Sequence, residues 1–228
     1  MIIAKFVAVV VLGYLIGSIP FGVIVGRWMA KVDVRKYGSG KMGTTNVLRT
    51  AGRKAALAVV SLDVFKGVAA VMFAGLIIGG DYLMAGGFGV GRPAALALAA
   101  LAAIAGHIWP VFLKFRGGRG VATFFGGLVA LCPPAAIFGS EVFVIGTGLS
   151  GYASLGSIAG VVGTFAILAP VTIINGFPVE DLGYGLLGAV IIVVMHRDNI
   201  GRLLSGRERK ISYRAERPDP PLPAGNAE

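Results

Sequence analysis

Apolar runs long enough to cross a bilayer recur along this chain, and nothing else in it constrains the fold as tightly. The first goes from Ile2 to Val25, and others cover Ala55 to Ile78, Pro93 to Phe112, Val121 to Leu131, Ala135 to Leu149, Ser157 to Ile174 and Leu182 to Met195. A helix needs about 20 apolar residues to cross roughly 30 Å of hydrocarbon. With 56% hydrophobic and 14% charged positions in 228 residues, the chain reads as an integral membrane protein rather than a soluble domain. Backbone polar groups in lipid must satisfy one another, which leaves helices or a closed barrel, and runs without dyad alternation exclude the barrel. Lys5 has the look of a signal-peptide start, but no small-residue cleavage site follows and more spans do, so the first run is expected to stay as helix one.

Charge sets the expected orientation. Segment 31–54 carries seven Lys or Arg, segment 113–119 three and segment 196–217 seven, so 17 of the 21 basic residues lie in three patches. By the positive-inside rule all three face the cytoplasm. The remaining connections hold Asp81, Glu141, Glu180 and Asp181 against one base, Arg92. An outside N-terminus and inside C-terminus demand an odd number of crossings, so residues 121–149 must go in and come back, turning at Pro133-Pro134. The expectation is an all-α polytopic protein of seven transmembrane helices, with one membrane domain over 1–214 and a disordered, proline-rich cytoplasmic tail over 215–228. The arms of the 121–149 hairpin are short, about 17 to 23 Å at 1.5 Å per residue. The net charge of +10 draws the basic face to anionic lipid head groups, while bases tied to membrane edges, without a soluble domain, are a poor fit to nucleic acid. The single cysteine, Cys132, makes no intramolecular disulfide, and no His/Cys cluster has metal-ligand spacing. Neither metal nor cofactor is expected.

Two polar glycine loops interrupt the apolar sequence. In the first, 38–49, Gly38, Gly40 and Gly43 permit backbone conformations that turn consecutive N–H groups toward one anion. Ser39, Thr44, Thr45 and Asn46 add donors there, and Lys41 and Arg49 add charge. The spacing is not that of a nucleotide P-loop. The second loop, 115–123, repeats the chemistry with Arg116, Gly117, Gly118, Arg119 and Gly120. One such loop is matched by a plain flexible connector; two flanked by spans are not.

Other polar residues sit at the spans. Pro20 is expected to kink helix one, with Ser18 recapturing a freed carbonyl. Asp63 and Lys66 share a face of helix two about 12 to 17 Å inward. Such ions are expensive in lipid, so they are expected to pair inside the bundle, as a brace in preference to a proton relay. His107 adjoins the second loop, where it orients Arg116 or Arg119, acts on substrate, or packs as a hydrogen-bonded histidine, and Trp109 is placed as an interfacial anchor. Small residues Gly156, Gly160 and Gly163 line one side of the sixth helix, as close helix packing requires. If the last helix continues past Met195, His196 and Asn199 lie one turn apart with Arg202 a turn further.

Three donor-rich cationic segments on one membrane face imply a substrate with a phosphate and an apolar part. Gly-Ser-Gly-x-x-Gly-x-Thr-Asn-x-x-Arg at 38–49, Gly-His-x-x-Pro-Val-Phe at 106–112, Phe-x-Gly-Gly-x-Gly-Val-Ala-Thr at 115–123, Ser-Gly-Tyr-x-Ser-Leu-Gly at 150–156 and His-Arg-x-Asn-Ile-x-Arg-Leu-Leu at 196–204 together resemble the bacterial acyl-phosphate-dependent glycerol-3-phosphate acyltransferases, the PlsY family. The resemblance runs from about Gly17 to Ile211. It implies transfer of the acyl group of acyl phosphate to sn-glycerol 3-phosphate, giving 1-acylglycerol 3-phosphate and phosphate at the bacterial inner membrane, the first step of phospholipid synthesis. It maps Ser39 and Arg49 onto the essential serine and arginine and the 117–120 glycines onto the glycerol-phosphate loop. His196 and Asn199 fall on functional residues, and Glu208 on a glutamate tied to structural integrity. Lys41, Arg116 and Arg119 depart from the family's Asn, Lys and Lys; Arg keeps the charge but brings a planar fork.

Phosphate is already a good leaving group, so cations such as Arg49, Arg116 and Arg119 suffice for much of the chemistry, with Ser39 and Asn199 donating to the tetrahedral oxyanion. The proton of the attacking hydroxyl goes either to substrate phosphate or to His196. Expected partners are the two substrates, membrane lipid and, as a further candidate, the enzyme that makes acyl phosphate. A phosphate-ester transporter or a noncatalytic lipid scaffold are the rival classes, but transport sites lie near the bilayer midplane and a scaffold leaves the paired loops unexplained.

Overall fold

The computed structural model describes residues 1–85 and 88–211; the expected tail at 215–228 lies outside the described residues. The helices are α1 (Ile2–Ser18), α2 (Phe21–Ala30), α3 (Thr44–Ile78), α4 (Arg92–Ile108), α5 (Val121–Leu131), α6 (Pro133–Ser150), α7 (Ala153–Asn175), α8 (Val179–Met195) and α9 (Arg197–Leu204). The protein is an all-helical membrane protein, and its helices are unequal. Among the described residues four runs are long and apolar enough to cross a membrane: Ile2–Ala30, Thr44–Ile78, Arg92–Leu113 and Ala153–Asn175. The 17-residue apolar helix α8 reaches the same length only together with α9, across a sharp bend. The hairpin expected at 121–149 is present as α5 and α6, broken at Cys132, where the two prolines at the start of α6 can donate nothing to the preceding turn. The α5 arm is only 11 residues, and α6 carries Glu141 exposed in its middle. Glu141 was expected in a connection; the helix runs through it because Pro133 and Pro134 sit where helices tolerate proline, at the first turn.

Pro20 breaks the first span rather than kinking it. Proline and the residue before it both resist helical backbone, and Ile19 has φ −59° and ψ 118°. The hydroxyl of buried Ser18 has no hydrogen-bond partner, contrary to expectation. Lys66 Nζ instead donates to Ile19 O at 3.3 Å. A second departure is a short antiparallel hairpin, Leu83–Ala85 with Phe88–Val90, which no apolar-run search detects. Its signal is a Gly86-Gly87 pair between two short runs.

Backbones approach closely where glycines face one another across helices. A Cβ on Gly160 of α7 would lie 2.9 Å from Gly139 O of α6, and one on Gly67 of α3 would overlap Thr123 O of α5. The largest core cluster centres on Phe124 and Tyr184, stacked with ring centroids 5.4 Å apart. The Tyr184 hydroxyl donates to Phe124 O at 2.8 Å, so its polar end is satisfied in the interior. At one end of the bundle Lys5 pairs with Asp81 at 2.6 Å, joining the start of α1 to the connection after α3. The glycine loops and α9 gather at the other.

Candidate active site

The first loop is built around one amide. Asn46 is buried in the first turn of α3; its Oδ1 accepts from Ser39 N at 2.9 Å, and its Nδ2 donates to Val34 O and Lys41 O at 2.8 Å and Tyr37 O at 3.2 Å. The residue expected to bind substrate therefore holds the loop itself. Gly38 and Gly40 have φ of 61° and 67°, and a Cβ on Gly38 would overlap Asn46 Oδ1. Ser39 stands exposed at the tip, Gly43 caps α3 with open space around its Cα, and Thr45 is half-buried in the first helical turn. Below the loop, Asp33 accepts from the Arg35 backbone N–H at 3.1 Å, from Arg35 Nε at 2.9 Å and Nη2 at 2.7 Å, and from Arg27 Nη2 at 2.9 Å. The Arg35 guanidinium, helped by Arg27, holds the Asp33 carboxyl well below the usual carboxylate range against the opposing effect of burial. Sequence inspection passed over this clamp, although an Asp two residues before an Arg at a helix start is its signal.

Gly52, with φ 83° and ψ 179°, interrupts α3 and separates its first turns from the long span. Arg49 lies in that detached piece. Its Nη2 donates to the backbone oxygens of Arg209 and Lys210, each at 3.3 Å, across 160 residues of sequence.

The second loop hangs from the end of α4. Gly117 N donates to Ile108 O at 3.0 Å and Gly118 N to His107 O at 3.1 Å. Gly120, at φ 85°, turns the chain into α5. Arg119 is half-buried, whereas Arg116 and Lys41 are exposed at the rim. Burial pulls the Arg119 pKa down, and Glu208 opposes this while Arg202 and Arg49 reinforce it. Arg119, Arg49, Arg202 and Glu208 thus share one electrostatic neighbourhood. Behind the loop, Asp63 and Lys66 pair at 2.9 Å with 2% and 1% of their side chains exposed, and His107 Nδ1 stands 3.5 Å from the same Asp63 oxygen.

The third segment folds back on the other two. The chain bends by 58° at His196, so α9 starts a new direction instead of prolonging α8. His196 Nδ1 lies 2.8 Å from Ile192 O; a carbonyl only accepts, so Nδ1 carries the proton and Nε2 is the lone-pair nitrogen of the neutral ring. His196 lies beyond the last residue of the spanning helix, and burial pushes its imidazole down to about 4. Glu208 accepts from Asn199 Nδ2 at 2.6 Å, Ser154 Oγ at 2.9 Å and Arg202 Nε at 2.7 Å. Burial raises this carboxyl, but the three donors outweigh it and the net direction is down. Ile211 N donates to Gly151 O at 2.8 Å, and Lys210 Nζ sits 6.0 Å above the Tyr152 ring. Ser154, in the first turn of α7, thereby fastens that helix to the 205–211 segment.

Arg49, Arg119 and Arg202 around Glu208 and Asp198 leave surplus positive charge, and such a surplus attracts anions. Comparison with known proteins agrees in kind. A family model described as glycerol-3-phosphate acyltransferase matches residues 7–206. A glycerol-3-phosphate acyltransferase 3 of Dehalococcoides mccartyi strain 195 is 63% identical over 215 residues, covering 94% of this chain and all of the relative. A glycerol-3-phosphate acyltransferase of Rubrobacter xylanophilus is 42% identical over 210 residues, covering 92% of this chain and 96% of the relative. The crystal structure of PlsY, an integral membrane glycerol 3-phosphate acyltransferase, in its glycerol 3-phosphate form superposes with a TM-score of 0.77 at 34% identity, covering 91% of this chain and 96% of that one. Its lysophosphatidic acid form gives 0.76 at 32% identity, with the same coverage. From a matched family model, relatives aligned over nearly their whole length and a shared fold, it follows that this chain belongs to the glycerol-3-phosphate acyltransferase family, in its integral membrane PlsY branch.

Proposed function

We propose that this chain transfers the acyl group of acyl phosphate to sn-glycerol 3-phosphate, releasing phosphate and lysophosphatidic acid, at the cytoplasmic face of the bacterial inner membrane. The observation that carries this is the meeting of Arg49, Arg119, Arg202, Asn199 and Glu208, drawn from three distant segments, at one end of the bundle. The glycerol hydroxyl oxygen attacks the acyl carbonyl, the bond from carbonyl carbon to phosphate oxygen breaks, and the hydroxyl proton leaves on the departing phosphate. Arg49 and Arg119 neutralise the two phosphates, and the N–H groups and side chain of the Ser39 loop line the reacting carbonyl. A neutral His196 with its Nδ1 fixed on Ile192 O is a weak base near pH 7, which favours a positioning role over proton abstraction. Lys41 and Arg116, exposed at the rim, steer anions inward.

The same reading includes seven crossings with the N-terminus outside, a single membrane domain over 1–214, and docking of the enzyme that supplies acyl phosphate. It is supported by the basic patches and by the Lys5–Asp81 pair at the end away from them. Incubating purified protein with acyl phosphate and labelled glycerol 3-phosphate tests the reaction. Equimolar lysophosphatidic acid and phosphate, both lost in Arg49→Ala, support it; uptake of label into vesicles without product points to a transporter and defeats it.

A further inference from the structure

His107 belongs to none of the groups that gather around Glu208, yet its ring lies directly against the glycine loop. Its backbone oxygen holds Gly118 N, and that of Ile108 holds Gly117 N. A Cβ on Gly118 would overlap His107 Nε2 and stand 2.9 Å from Cδ2 and 3.1 Å from Cε1, so the ring is the wall on which Gly118 rests. The other ring nitrogen faces Asp63 Oδ1 at 3.5 Å, and Asp63 pairs with Lys66 at 2.9 Å. Lys66 in turn reaches Ile19 O at the break between α1 and α2 and lies 5.9 Å from the Phe21 ring. The α1–α2 break, α2, α3, α4 and the loop leading to α5 thus meet through one buried ion pair.

Buried ion pairs are often no more stabilising than well-packed apolar residues, but they fix direction. We propose that His107 is a positioning residue for glycerol 3-phosphate: with the Asp63–Lys66 pair packed behind it, its ring sets the place of Gly118 and thereby of Arg119 one residue on. This rests on the acyltransferase reading above and on the 117–120 loop holding the glycerol 3-phosphate end. Because the loop's glycines press against the ring and the carbonyls, a ring displaced by a fraction of an ångström moves the loop with it.

The test is a double-mutant cycle on the full chain in detergent or nanodiscs, with steady-state kinetics for both substrates. His107→Ala is expected to raise the KM for glycerol 3-phosphate about tenfold and leave that for acyl phosphate unchanged, with His107→Gln, whose amide reaches the Nε2 position against Gly118, recovering most of the loss. Gly118→Ala is expected to lower kcat/KM about a hundredfold. In the His107→Ala background the same change should cost at least about tenfold less, since the wall is gone. Additive losses, equal rises in both KM values, or a Gly118→Ala enzyme as active as the parent each overturn the proposal. Should His107→Ala fail to give monodisperse protein, the cycle is run with His107→Asn, which also lacks the Nε2 end of the ring, and additivity there has the same meaning. A parent protein that makes no lysophosphatidic acid defeats the acyltransferase reading itself, whereas an active parent with additive variants defeats only the role of His107.

Discussion

Asn199 donates to Glu208 at 2.6 Å, the shortest link between the helix after the last span and the segment that closes over the site. Ser154 and Arg202 bind the same carboxylate, so one side chain fastens α7, α9 and the 205–211 segment together.

Glu208→Gln is therefore expected to destabilise the protein by about 1–3 kcal/mol, since it leaves donors facing an amide. The pH dependence follows from the depressed carboxyl. The folded state binds this proton less readily than the unfolded chain does. The carboxylate's contribution is thus fully present above the ordinary glutamate pKa of about 4.3 and is lost as pH falls through the lower folded value. Thermal melts from pH 7 downward should show a steeper acid decline in the parent than in Glu208→Gln.

Arg49→Lys keeps the charge but cannot reach the Arg209 and Lys210 carbonyls and a phosphate with one planar fork. An activity loss of roughly a hundredfold or more is expected with a melting temperature changed by only a few degrees, which argues for substrate contact over scaffolding. Equal loss in a charge-removing Arg49→Gln variant is compatible; full activity in Arg49→Lys is not.

His196→Gln should leave the shape of the pH–rate profile between pH 6 and 8 untouched. An imidazole held near 4 is already neutral across that range, so it supplies no ionisation there. Disappearance of a limb near neutral pH in the variant would restore His196 as the base.

Asn46→Asp removes the N–H groups that bind Val34, Tyr37 and Lys41 and brings a second carboxylate oxygen against their carbonyls. Loss of several kcal/mol is expected, on the order of 1–3 for each stranded group. Unlike Arg49→Lys, this variant should lose activity and melting temperature together, which separates loop architecture from substrate contact.

Much of the fold was readable because lipid leaves a chain few options: the spans at 55–78, 93–112 and 157–174, the intramembrane Asp63–Lys66 pair and the Gly156/Gly160/Gly163 seam all follow from apolar length, charge cost and helix spacing. What escaped notice depends on tertiary placement. Asn46 looks like a ligand residue because amides bind anions and cap loops with the same atoms, and only the positions of Val34, Tyr37 and Lys41 decide between them. The bend at His196 is invisible to a helical count, since nothing in Met195-His196-Arg197 breaks a helix by itself. Arg116 and Arg119 are alike in sequence, yet one is exposed and the other is half-buried within electrostatic reach of Glu208.

The bond from Arg49 to residues 209 and 210 also fixes a schedule. A ribosome making this chain has released Arg49 long before the carbonyls it will bind exist, and the glutamate that secures them is encoded after α8. Nascent chains halted before residue 208 are thus expected to sit in the membrane with their helices inserted and no competence for turnover, so each copy of the enzyme stays silent until residues 208–210 have been made.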